Sequence, residues 1–218
     1  MSLEIDLFWS FRSPYSYLAT PRLIELERHY ELEIHVRPVL PIAVRIDGFF
    51  DRVNPLWPPY LLRDSFRIAE SLGLPFAWPS PDPIVQEFPS RKVAKDQPYI
   101  YRLTRLGALA AERGFGLPFL NEVSRVIFGG TRGWHEGSHL ADAAKRAGAE
   151  LAEMDAALTE EASRLDAVIA ANQAALEKAG HWGVPTMAFR GEPFFGQDRI
   201  ELLVWRLKQH GLVERSAQ

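Results

Sequence analysis

The chain has 218 residues, 47% hydrophobic and 24% charged, a balance that closes a globular core and a length that suits one large domain or a small one with a second lobe. A formal net charge of −3 advertises neither a nucleic-acid surface nor a surface for anionic membranes. Cysteine is absent, which excludes disulfides, thiolate zinc sites, iron–sulfur clusters and any protein thiol as nucleophile.

Met1 to Ser10 carries Glu4 and Asp6 and has no basic n-region, so it reads as a first strand over Leu3 to Trp9 and not as a secretory leader. From Pro14 to Tyr30 the pattern turns helical, with Leu23, Leu26 and Tyr30 on one face. Pro21 cannot donate to the Tyr17 carbonyl and predicts a kink there. Glu31 to Pro38 alternates, so the opening is β-α-β. The middle shows helical patterns at Tyr60 to Leu72, Tyr99 to Arg113, Leu117 to Phe128, Leu140 to Ala147, and Glu150 to Lys178 with a break near Asn172. Proline-rich loops at Asn54 to Pro59 and Pro75 to Pro89, and a glycine-rich loop at Gly129 to Gly137, punctuate it. The chain then closes as β-β-α. Strands run through Met187-Ala188-Phe189 and Phe194-Phe195 about a turn at Arg190-Gly191, and the last helix bears Ile200, Leu203 and Leu207. No apolar run is long enough to span a bilayer, and a soluble, cytoplasmic protein is expected.

The sharpest chemical signal is Ser13-Pro14-Tyr15-Ser16-Tyr17-Leu18-Ala19, where a strand hands over to a helix. Ser13 is a good N-cap and Pro14 a favoured first helical residue, which is a sufficient structural account by itself. The same geometry aims unpaired N–H groups and a positive partial charge at any anion placed there, a thiolate included.

This motif, the helical middle, and a late Gly183-Val184-Pro185-Thr186 together resemble the 2-hydroxychromene-2-carboxylate isomerases and kappa-class glutathione transferases, relatives of the DsbA oxidoreductases. The Tyr60…Asp64…Arg67-Ile68-Ala69…Gly73-Leu74-Pro75 run and Gly196-Gln197-Asp198-Arg199 extend the resemblance over nearly the whole chain. It implies an α/β thioredoxin-like fold, with residues 1–41 and 181–218 forming the thioredoxin-like domain and 42–180 a helical insertion domain. It also implies glutathione as cofactor, its sulfur bonded by the Ser13 hydroxyl, and a cis Val184–Pro185 bond that leaves Val184 free to pair with the tripeptide backbone. By the same resemblance Gln197 and Asp198 hold the γ-glutamyl end and Asn54 makes a further contact. The lysine that relatives carry in the following loop has no counterpart between Asn54 and Tyr60, and Arg52 and Arg63 are candidates to replace it at the glycyl carboxylate. Asp198 with Glu201 has a second reading as a capping box opening the last helix.

The implied reaction is reversible addition of glutathione thiolate to a conjugated aromatic carboxylate, giving cis–trans isomerisation. Phe11, Tyr15, Trp57 and Trp134 are candidate walls of the substrate pocket, with Trp134 on a mobile glycine loop closing over it. A small aromatic substrate and an open question of homodimerisation complete the expected partners, without nucleic acid or membrane. A kappa-like transferase and a cysteine-free peptide-binding module are the alternatives. His135-Glu136-Gly137-Ser138-His139 satisfies the H-E-x-x-H spacing of zinc hydrolases, but four nearby glycines argue against the helix that spacing requires, so no metal is expected.

Overall fold

The computed structural model describes residues 2–87 and 92–216, and Pro89 of the second proline-rich stretch lies outside them. Strand β1 (Leu3–Trp9) leads into helix α1 (Pro14–His29) and strand β2 (Leu32–Pro38), and β3 (Thr186–Phe189) and β4 (Glu192–Phe195) precede helix α9 (Ile200–Gln209). The four strands form one mixed sheet in the order β2-β1-β3-β4. β1 runs parallel to β2, with Leu7 opposite Val36, and antiparallel to β3, with Leu7 opposite Met187. Parallel pairing of consecutive strands requires a crossover, and α1 supplies it.

Between β2 and β3 the described chain is helical: α2 (Ile42–Arg45), α3 (Phe49–Arg52), α4 (Trp57–Leu72), α5 (Ile100–Glu112), α6 (Gly116–Phe128), α7 (His139–Arg146) and α8 (Leu151–Lys178). This is a thioredoxin-like α/β fold carrying a helical insertion. The insertion does not stand apart from the sheet, because α5, α6 and α8 pack on β2, and one apolar cluster runs from Ile5 and Trp9 through Leu106 and Phe119 to Leu165. On the other side of the pleat Phe8 joins Val39, Leu176 and Ala188 in a smaller cluster.

Three local expectations need correction. Helix α4 begins at Trp57 and not at Tyr60, since Pro58 and Pro59 fall in its first turn, where a missing N–H breaks no helical bond. Helix α8 runs without a break through Asn172, whose side chain is buried and donates from Nδ2 to the Pro38 carbonyl at 3.0 Å. The polar residue is a tie between helix and strand end. Asn172→Ala strands that buried carbonyl and is expected to destabilise the protein by about 1–3 kcal/mol, measured as a lower urea midpoint at unchanged slope. Finally, Asp198 makes no cap bond; a 3-10 turn (Gln197–Arg199) stands between Gly196 and α9, and Asp198 pairs instead with Arg199 at 3.3 Å.

Candidate active site

The junction of β1 and α1 is fixed from beneath. The Trp9 indole N–H, fully buried, lies 3.0 Å from the Thr20 hydroxyl and 3.2 Å from the Ser16 carbonyl, locking the first turns of α1 against the strand. Ser13 then sits at the N-cap in extended conformation and its Oγ accepts from the Ser16 N–H at 3.2 Å. The same hydroxyl donates to the Val184 carbonyl at 3.3 Å, across 171 residues of sequence. The Val184–Pro185 bond is cis, and among the described residues the Val184 N–H has no partner.

Ser13 and Val184 both face a cavity of about 860 Å³. Tyr15, Asn54 and Trp57 line it, as do Phe49, Phe50, Trp78 and Trp182, which the sequence reading did not single out. Phe49 packs edge-on against Phe50 at 5.4 Å and against Trp57 at 6.1 Å, so α3 and the start of α4 make one aromatic wall. Tyr15 donates to Asp64 at 2.8 Å, joining α1 to α4. Burial first, and then the bond to Asp64 with the charges of Asp64 and Asp198, raise the Tyr15 pKa far above its ordinary value, so the phenol stays protonated as a donor to Asp64.

Among the described residues two arginines line the cavity, and neither Arg52 nor Arg63 does. The Arg12 guanidinium makes a bidentate pair with Asp82 at 3.0 Å and lies over the rings of Phe50 and Trp78. Arg45 donates to the carbonyls of Leu40 and Trp182 at 2.9 and 2.7 Å.

Not every expected residue reaches the cavity. Phe11 is fully buried between Trp9 and Phe119, and Trp134 is 1% exposed with its indole N–H on the Pro81 carbonyl at 2.7 Å. Both are core residues and not pocket walls. Trp134 closes over no substrate, because it is already anchored under the lobe. Pro185 is buried behind Val184. Gln197 and Asp198 stand beyond the cavity walls on the turn before α9, where Arg22 donates to both the carbonyl and the side chain of Gln197, at 2.8 and 3.0 Å. His135 to Ser138 is a turn, with Gly133 and Gly137 at positive φ, and only His139 belongs to α7, so the two imidazoles do not share a helical face. The His135 ring packs on Tyr99 and Trp134 at 4.7 and 5.6 Å.

The sequence matches the DSBA-like thioredoxin domain over residues 4–208. The chain belongs to that family. Among solved structures, a 2-hydroxychromene-2-carboxylate isomerase is similar with a TM-score of 0.71 at 21% identity, covering 95% of this chain and 96% of that one. A probable DsbA oxidoreductase from Streptomyces coelicolor gives 0.67 at 20% identity over 99% and 92%. The cytosolic disulfide reductase DsbM from Pseudomonas aeruginosa, in a structure with GSH, gives 0.58 at 19% over 94% and 100%. No curated protein matches. At these identities the likeness establishes the fold. No described helix is long and apolar enough to cross a membrane.

Within this family the sequence departs from the oxidoreductases in one decisive respect: dithiol–disulfide exchange needs a protein thiol, and the chain has none.

Proposed function

We propose that this protein is a glutathione-dependent cis–trans isomerase of aromatic carboxylates, of the 2-hydroxychromene-2-carboxylate isomerase type. The observation that carries the reading is the Ser13 hydroxyl, held at the N-terminus of α1 within 3.3 Å of the Val184 carbonyl on the wall of an aromatic cavity in a chain without cysteine.

The donor set suits glutathione. Ser13 has one proton to give, and the first turn of α1 adds its positive partial charge, so the pair favours a thiolate over a thiol. Donation of that proton to sulfur releases the Val184 carbonyl. Val184 then offers both a free carbonyl and a free N–H, the edge that pairs with an extended peptide. Asn54 would reach the ligand from the opposite wall, and Gln197 and Asp198 would meet its γ-glutamyl end where the turn before α9 adjoins Tyr15. Bound there, glutathione supplies a nucleophile that adds to a conjugated double bond and leaves again once the bond has rotated. The protein's part is to hold the thiolate charge, to seat a flat substrate between Phe49, Trp57 and Trp182, and to exclude water from the apolar walls.

A spectrophotometric assay with a hydroxychromene carboxylate and its benzylidenepyruvate isomer tests the reading, with glutathione measured before and after. Interconversion that requires glutathione and leaves its amount unchanged is expected. Glutathione lost in step with substrate makes the protein a kappa-like transferase, and equal rates without glutathione sink the mechanism.

A further inference from the structure

Among the described residues, two arginines and no aspartate or glutamate line the cavity, and one of the two is in no ion pair. Arg12 is matched by Asp82 through both of its forked bonds. Arg45 takes part in no ion pair among the described residues, and its two hydrogen bonds go to neutral backbone carbonyls. A guanidinium carries five N–H donors, so three have no partner among the described residues. The two carbonyls, one from the segment after β2 and one from the loop before Val184, hold the group in place without discharging it. Burial lowers the Arg45 pKa, and the charge of Glu177, which forms no ion pair with it, acts against that shift. Ile42, Phe49 and Trp182 line the same cavity.

We propose that Arg45 is the specificity-determining residue of the cavity, binding the carboxylate of a flat aromatic acid seated against Phe49 and Trp182. A guanidinium fork recognises a carboxylate with two parallel bonds, and a planar apolar ligand fills the aromatic walls that water wets poorly. An amide of the same shape has no charge to offer and leaves the guanidinium as it is. The assignment deepens the isomerase reading and rests on it for the ligand class.

Calorimetric titration of the whole protein, without glutathione, with trans-cinnamate and with trans-cinnamamide tests it. Wild type is expected to bind the acid about tenfold more tightly than the amide, the weight of a charge-assisted hydrogen bond. Arg45→Met and Arg45→Gln are expected to abolish that preference while binding cinnamamide as wild type does; Gln keeps an N–H for the carbonyl of Leu40 or Trp182 should the Met variant fail to fold. A merely structural role would weaken acid and amide alike, and that result overturns the assignment. So does a wild type that binds both equally or binds neither. Glutathione titrated into the same variants is expected to keep its affinity; a loss confined to glutathione would move Arg45 to a carboxylate of the tripeptide and overturn the assignment to the aromatic acid. Because binding is read without turnover, failure of the isomerase assay leaves a measured acid preference standing.

Discussion

Ser13→Ala is expected to lower kcat/KM about 10- to 100-fold at pH 7, the weight of one hydrogen bond to a charged atom. The sign with pH follows from what the hydroxyl stabilises. A free thiol ionises near ~8.5, and donors at a helix N-terminus lower that value. Removing the Ser13 donor raises the pKa of the bound thiol part of the way back, so less thiolate is present at neutral pH and the acid limb of the pH–rate profile moves upward. Mutant and wild-type rates converge as the pH passes that of the free thiol. Stability suffers less, since the lost cap bond to the Ser16 N–H at 3.2 Å is worth about 1 kcal/mol. Ser13→Thr keeps both the cap and the proton and is expected to retain most activity. An acid limb that stays in place in Ser13→Ala would remove Ser13 from the chemistry and leave it as a helix cap.

Much of the frame is legible in the sequence because it is written in local chemistry. A short apolar-rich run in Leu3 to Trp9, alternation in Glu31 to Pro38, and a serine cap before a proline mark β1, β2 and the start of α1 within a residue or two. The two ends of the chain meet because β3 must pair with β1, and the Ser13 to Val184 contact follows from that pairing. Other features carry no local signal. Helices α2 and α3 have four residues each, too short for any periodicity to show, and they bring Arg45 and Phe49 to the cavity. The family resemblance points downstream for a cation, to Arg52 or Arg63, because the loop after Asn54 lacks a lysine. At Asp198 a capping pattern was present, but a 3-10 turn took up the residues that would have capped α9. Aromatic residues pose the opposite difficulty: Phe11 and Trp57 look alike as pocket walls, and only tertiary packing separates them.

That separation makes a stability experiment diagnostic. Phe11→Ala is expected to destabilise the protein by about 3–5 kcal/mol, a large share of what holds a domain together. The ring is fully buried, edge-on to Trp9 at 4.8 Å and to Phe119 at 6.5 Å, and it occupies space that α5 concedes at Gly107, where an added Cβ would lie 2.8 Å from the Phe11 ring. Truncation therefore leaves a cavity between sheet and lobe that neither side can readily close, because β1 is fixed by both neighbours and α5 by α6 and α8. Trp57 is 41% exposed and lines the aromatic cavity, so Trp57→Ala is expected to move the urea midpoint little and to raise KM for an aromatic substrate. If Phe11 were a pocket wall the pattern would reverse, with KM rising in Phe11→Ala at nearly unchanged stability. Urea denaturation and steady-state kinetics on the two variants side by side distinguish the cases. The expected separation also explains why the site tolerates an open aromatic cavity: the rings that hold β1 against the lobe are a different set from those that face the ligand.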